Sequence, residues 1–351
     1  MIPIFIASNK SYSGKTFFAL GLGMKLIEQG YKVGYIKPFG RTPVKKGHDV
    51  FDADALFMKE ALSLPDALNV ISPFVIGFET QNLLFEGEIK DAKKRIADAV
   101  ESQKDKDFVL IGGAGDLFEG AAFEIDAPRL IKDLQARAVL VESWSGDVSV
   151  DALMGAHKLL GEQFIGGIIN KVPLNAVPHV KETVKPFLEK KGIAVFGVFQ
   201  EDNLLKSITV RDLNEILNGK ALCCEDRLDE AVENFSIGAM DVDSALSYFR
   251  RIPNKAVITG AHRSDIQLAA METSTKCIIL TGGLHTNDVV IGKAEAKGIP
   301  IISIADDTFT AIDRIESVIG KTRIRDRGKI DRTKEIIEAK FDMERFLKAL
   351  K

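Results

Sequence analysis

Apolar residues in this chain fall into short continuous runs separated by amphipathic stretches. The runs are Ile2–Ala7, Lys32–Ile36, Phe108–Ile111, Ala138–Val141, Phe164–Ile169 and Ala194–Phe199. Helical periodicity fills the intervals at Lys15–Gln29, Ala53–Leu62, Ile89–Ser102, Ala127–Leu134, Val148–Leu160 and Val180–Lys190. Continuous rather than alternating strands fit a parallel sheet covered on both faces. Strand–helix alternation predicts a doubly wound α/β sheet. Gly30 and Gly192 supply helix stops.

After about Leu205 the pattern restarts. Helices are expected over Val210–Leu217 and Asp241–Arg251, the latter capped by Asp241 or Asp243. Three strand–helix pairs follow: Lys255–Thr259 with Ser264–Thr273, Lys276–Leu280 with Asn287–Lys297, and Pro300–Ile304 with Thr308–Ile319. A charged tail then carries a helix over Lys329–Leu350. The expected organisation is a mostly parallel α/β domain over 1–205, a smaller α/β domain over 206–322 and a charged helical tail over 323–351.

Composition narrows the function classes. The 351 residues are 46% hydrophobic and 28% charged, with a net charge of −3. That balance is soluble, and it gives no reason to expect bulk nucleic-acid binding. The apolar runs are strand-sized, far below the roughly 20 residues of a membrane helix. The start has no signal-peptide n-region. Three cysteines form neither a disulfide framework nor a zinc pattern, which suits a reduced, cytoplasmic protein. The five histidines, His48, His157, His179, His262 and His285, are scattered.

Candidate chemistry begins after the first strand, at Ser8-Asn9-Lys10-Ser11-Tyr12-Ser13-Gly14-Lys15-Thr16. A strand, a small-residue loop and Gly-Lys-Thr opening a helix is the layout of a phosphate-binding P-loop. Loop N–H groups cradle anions at a helix N-terminus. Lys15 reaches outer phosphates and the Thr16 hydroxyl faces Mg²⁺. The candidate nucleotide-binding set is Lys10, Ser11, Ser13, Gly14, Lys15 and Thr16. The simple pattern wants glycine at position 9, where this chain has Asn9. Lys10, five residues before Lys15, resembles the spacing of the deviant P-loop ATPases.

Further candidates lie at other strand ends, where open parallel sheets bind ligands. Lys37 precedes Pro38 and suits a phosphate or a substrate carboxylate, or is a solvated lysine before a turn. Asp49, Asp52 and Asp54 follow the polar loop 41–48; they suit Mg²⁺ or the N-cap of the next helix. Gly112-Gly113-Ala114-Gly115-Asp116 permits close backbone approach to a ligand. Asn170 carries a paired donor and acceptor suited to a purine edge, or is a turn asparagine. Trp144 stacks on a base or simply packs. Thr259–Asp265 and Thr281–Gly283 make anion-binding turns or tight βα turns with Ser264 as N-cap. Cys277 is expected in the core; Cys223 and Cys224 have no assigned role.

In order along the chain, Ser13–Thr16, Gly34–Pro38, Asp52–Ala55, Gly113–Gly115, Gly167–Asn170 and Phe196–Asp202 resemble the dethiobiotin synthetase-like P-loop domain. That domain also occurs in cobyrinic acid a,c-diamide synthases and at the N-terminus of long phosphotransacetylases. Thr209–Leu213, Ile237–Met240, Val257–Gly260, Arg263–Ile266, Leu280–Gly283 and Asp307–Phe309 resemble a DRTGG domain. The resemblance implies ATP and Mg²⁺ as cofactors. Lys15, Thr16 and Lys37 would contact phosphates or substrate, Lys37 as the catalytic cation. Thr16 and Asp54 would hold Mg²⁺, and Asn170 would read adenine. It departs at Gly112, where the synthetases carry a metal-binding glutamate, and at His262 and Ser264 in the DRTGG name-motif.

Two readings follow from these residues. One is a nucleotide-binding regulatory or metabolite-sensing protein, homo-oligomeric, with a small-molecule ligand and without the phosphotransacetylase catalytic domain. The other is an ATP- and Mg²⁺-dependent ligase of the dethiobiotin synthetase or diamide synthase kind.

Overall fold

A computed structural model describes residues 1–47, 49–77, 82–83, 85–87, 91–283, 286–318 and 327–351. His48, His285, the start of the helix expected from Ile89, the end of the helix expected to reach Ile319 and the expected 322/323 boundary lie outside them. The chain divides into two compact units, Met1–Glu201 with Ile324–Lys351, and Asp202–Arg323.

The first unit is built on a six-stranded parallel sheet. Its strands are β1 (Ile2–Ala7), β2 (Val33–Ile36), β5 (Phe108–Gly112), β6 (Arg137–Ser143), β7 (Phe164–Val172) and β8 (Val195–Gln200), in spatial order β2-β5-β1-β6-β7-β8. From β1 the chain crosses to the edge strand β2, returns to place β5 between them, and then adds β6, β7 and β8 on the other side of β1. The loop after β1 therefore sits at the switch point where such sheets open a crevice.

Both faces are covered, which is why the strands read as continuous apolar runs. Phe5, Val109, Ile111, Ala138 and Leu140 pack with Ile96, Leu130 and Leu153. These last three come from α3 (Ala92–Glu101), α4 (Ala127–Asp133) and α5 (Asp147–Leu160). On the other face lies α1 (Lys15–Glu28), with Phe18, Leu20, Leu22 and Leu26 buried. This is the doubly wound α/β sheet expected from the sequence.

Several local features depart from expectation for identifiable reasons. The stretch 41–48, expected as a polar loop, contains the first strand of an antiparallel hairpin, β3 (Pro43–Lys46) with β4 (Asp49–Asp52). Its lysine-rich first strand is wholly exposed, so no apolar alternation announces it. The helix expected over 180–190 breaks into a π turn, Val180–Val184, and α6 (Lys185–Lys190). Pro186 has no N–H to bond the carbonyl four residues back. The single helix expected over 329–350 is two, α12 (Arg327–Lys340) and α13 (Met343–Ala349). Asp342 ends the first and caps the second, accepting from the Arg345 N–H at 3.0 Å.

Those last helices complete the first unit's core. The Phe18 and Phe341 rings meet edge-on at 5.3 Å, as do Phe196 and Phe346 at 5.5 Å. The Asp342 N–H donates to the Phe196 carbonyl at 2.8 Å. Lys334 pairs with Glu28 on α1 at 2.6 Å.

The second unit is a smaller α/β layer. Its five-stranded sheet runs β10 (Lys220–Cys223), β15 (Ile301–Ser303), β14 (Thr275–Thr281), β13 (Lys255–Gly260), β12 (Asn234–Ile237), with only β10 antiparallel. A two-residue pair, β9 (Ile208–Thr209) with β11 (Ala231–Val232), forms a separate antiparallel ladder. Helices α7 (Val210–Ile216), α8 (Val242–Phe249), α9 (Ser264–Met271), α10 (Asp288–Lys297) and α11 (Thr308–Val318) flank the strands. Asp241 caps α8, accepting from the Ser244 N–H at 3.0 Å. Ser264 is not the cap of α9; that position is Arg263, and no side chain bonds the exposed N–H groups. Cys277 is fully buried in the core, as expected.

Candidate phosphate-binding loop

Residues 8–14 leave β1 and turn into α1 through Gly14, whose φ of 103° is left-handed and suits glycine. A side chain there would also collide with Asn170, which closes over the loop. The Asn170 Nδ2 donates to the Ser13 carbonyl at 2.9 Å. The structure thus turns this amide toward the loop backbone. The Ser13 hydroxyl donates to the Lys10 carbonyl at 2.9 Å, and the Ser8 hydroxyl to the same carbonyl at 2.7 Å. These bonds hold the loop closed from within. Ser11 and Tyr12 stand exposed at its tip.

Lys15 folds back into this frame. Its Nζ donates to the Ser8 hydroxyl at 2.6 Å and to the Gly115 carbonyl at 2.7 Å. Burial, reinforced by Lys37, pushes its pKa down to about 7. Lys37, at the end of β2, is buried; its Nζ donates to the Gly113 carbonyl at 3.1 Å and lies 3.8 Å from the Asp54 carboxylate. Two lysines, one opening α1 and one following β2, thus converge on one glycine-rich turn. Neutral carbonyls solvate them where anions would bind them more strongly.

The three aspartates divide as their positions dictate. Asp52 is the cap of α2 (Ala53–Ala61), accepting from the Asp54 N–H at 2.9 Å, and also from the Thr42 N–H at 3.0 Å. Asp49 lies on the exposed part of β4. Asp54 turns toward Lys37 and the loop. Asp116 is occupied in its own turn, accepting from the Phe118 and Glu119 N–H groups. Thr16, partly exposed, opens α1. Its hydroxyl and the Asp54 carboxylate are hard oxygen donors of the kind Mg²⁺ prefers. Among the described residues, no group of three or more His, Cys, Asp or Glu side chains is arranged to hold a metal.

Two residues escaped sequence reasoning. Glu119 caps the glycine-rich turn: its carboxylate accepts from the Gly115 N–H and pairs with Arg41 at 2.7 Å. Glu142, at the end of β6, is 1% exposed and lies 3.8 Å from the Lys10 Nζ. Burial pushes its pKa up to about 7 against the pull of Lys10. An acidic residue ending an apolar strand beside the P-loop strand was the available signal. Trp144 is half-buried, edge-on to His179 at 6.5 Å.

A family profile described as an AAA domain matches residues 3–209. The chain belongs to this family. Its AAA domain is followed by a DRTGG domain, matched over residues 212–318. The phosphate acetyltransferase of Synechocystis sp. is 25% identical over 369 residues, covering 99% of this chain and 52% of that protein. The phosphate acetyltransferase of Nitratidesulfovibrio vulgaris is 26% identical over 371 residues, covering 97% and 50%. The chain thus spans about half the length of these relatives. The ATP-dependent dethiobiotin synthetase of Clostridium perfringens is 23% identical over 224 residues, covering 62% of this chain and 98% of that enzyme. The dethiobiotin synthetase-like AAA domain with a following DRTGG domain is therefore the architecture expected from the ordered motifs. No helix among the described residues is long and apolar enough to cross a membrane.

Proposed function

We propose that the first unit binds ATP or ADP with Mg²⁺, and that the chain is a nucleotide-responsive regulatory protein. The observation that carries this reading is the pair of lysines, Lys15 and Lys37, converging on the carbonyls of Gly113 and Gly115 beside a preformed loop. Phosphate oxygens entering there replace neutral acceptors with charged ones. The loop N–H groups and the Ser11 and Ser13 region receive the phosphates. Thr16 and Asp54 hold Mg²⁺, which when bound neutralises phosphate charge. Asn170 acts by bracing the loop rather than by offering its amide freely to a base. The second unit serves ligand sensing or self-association, and the protein works in the cytoplasm as a homo-oligomer.

A second reading, an ATP-dependent ligase acting on a small carboxylate or carbamate, is favoured by Lys37 beside Asp54. There Lys37 stabilises developing charge on the activated substrate. Calorimetric titration with MgATP and MgADP, wild type against Lys15→Ala, tests nucleotide binding. No heat of binding in the wild type overturns both readings. Turnover with a candidate carboxylate that is lost in Lys37→Ala selects the ligase; binding without turnover selects the regulator.

A further inference from the structure

Among the described residues of the first unit, Glu142 is the one carboxylate with both oxygens buried and unpartnered. Its side chain is 1% exposed, and neither carboxylate oxygen makes a hydrogen bond of ordinary geometry. Buried carboxylates in this condition are rare and costly, so their retention calls for a reason. The nearest opposite charge is the Lys10 Nζ, 3.8 Å from Oε1. The loop N–H of Asn9 also faces it. Lys10 is held there by one hydrogen bond, donated to the Ser145 hydroxyl at 3.1 Å. The Ser149 hydroxyl, which accepts from the Ser145 N–H at 2.7 Å and donates to the Ser143 carbonyl at 3.1 Å, fixes that turn.

The other charges around Glu142 do not replace Lys10. Lys15 acts on it from the loop at longer range and is bonded to Ser8 and Gly115. Lys171 on β7 lies close enough to Lys10 to repel it, and Glu201 offsets Lys171. Asp147 in the first turn of α5 is exposed and caps the Val148 N–H at 3.0 Å. Lys10 itself is almost half exposed, so it is free to swing while Glu142 is not.

We propose that Glu142 is the resting seat of Lys10: a nucleotide entering the loop draws Lys10 to its phosphates, and the stranded carboxylate takes up a proton. The proton comes from solvent or buffer, and the product is a neutral buried carboxylic acid. Glu142 is thus a positioning residue that makes nucleotide binding proton-linked. This rests on the nucleotide-binding reading above and adds a residue and a pH dependence to it.

The test is calorimetry with MgADP at about pH 7.5 in buffers of low and high ionisation enthalpy, wild type against Glu142→Gln. The buffer dependence counts protons taken up. Lys15 titrates in both proteins, so the comparison cancels its uptake apart from its long-range coupling to Glu142. The wild type is expected to take up more protons per nucleotide than Glu142→Gln, by about half a proton or more. Equal uptake overturns the proposal. A second measurement needs no nucleotide: carbon-13 carboxyl NMR follows Glu142 in wild type and Lys10→Met. Removing Lys10 is expected to move the Glu142 titration to higher pH, and an unmoved titration overturns the seat. A wild type that binds no MgADP overturns the function proposed above and the displacement with it, while the NMR result still decides whether Glu142 seats Lys10.

Discussion

The Tyr35 hydroxyl occupies the space that a β-carbon at position 112 would need. Tyr35 is 1% exposed, and burial raises its pKa well above the ordinary phenol value. Gly112 is thus packed against a neighbouring ring, so a side chain there cannot be added alone. Gly112→Ala is expected to destabilise the protein by about 1–3 kcal/mol through overpacking. Gly112→Ala with Tyr35→Leu should recover part of that loss. Denaturant unfolding of the two single mutants and the double mutant measures the coupling.

Lys15→Met is expected to separate binding from stability. Loss of the ammonium should weaken nucleotide binding by about tenfold or more. The Lys15 pKa falls from 10.5 unfolded to about 7 folded, so its charged form is penalised in the fold. That penalty is absent above pH 10.5, grows as pH falls through the interval and is complete below about 7. Wild-type stability should therefore rise from pH 7 toward 10 relative to Lys15→Met. Thermal melts of both proteins without nucleotide across that range check the sign.

Glu142 runs the opposite way. Its pKa rises from 4.5 to about 7, so the ionised form is penalised in the fold. The cost is absent below pH 4.5 and complete above about 7. Glu142→Gln should stabilise the nucleotide-free protein at pH 8, on the order of 1–2 kcal/mol, and much less at pH 5. Equal effects at both pH values in denaturant titrations would remove the ionised carboxylate as the source.

Phe341 contacts Phe18 on α1 and Phe196 on β8. Phe341→Ala is expected to cost about 3–4 kcal/mol. The loss should appear in the melting of the first unit and in nucleotide affinity, since α1 carries Lys15 and Thr16. An unchanged unfolding midpoint would show that α12 and α13 are dispensable.

The sheet was legible because its strands are buried on both faces. Ile2–Ala7 and Phe108–Ile111 could hardly be read otherwise, and β1 occupies the predicted residues. The phosphate loop was legible because Gly14 and Lys15 sit between a buried strand and a helix. The hairpin β3–β4 was hidden because its pairing is local and its first strand solvated. Glu142 was hidden for another reason. Its significance lies in the loss of water and partners across β6 and the β1 loop, which spacing along one chain cannot express. Asn170 was expected to end its strand but lies within β7, which runs on to Val172, and only its 2.9 Å bond to Ser13 shows which way its amide turns.

The placement of α12 and α13 has a consequence for synthesis. The unit that carries the phosphate loop is discontinuous, with residues 202–323 emerging between its two parts. During translation, Phe18 and Phe196 are made long before Phe341 and Phe346 exist to cover them. The smaller unit can therefore finish folding while the first still exposes an aromatic surface. Completion of the unit that holds the phosphate loop is set by the order of manufacture: the loop is made before residues 202–323, and its support is made after them.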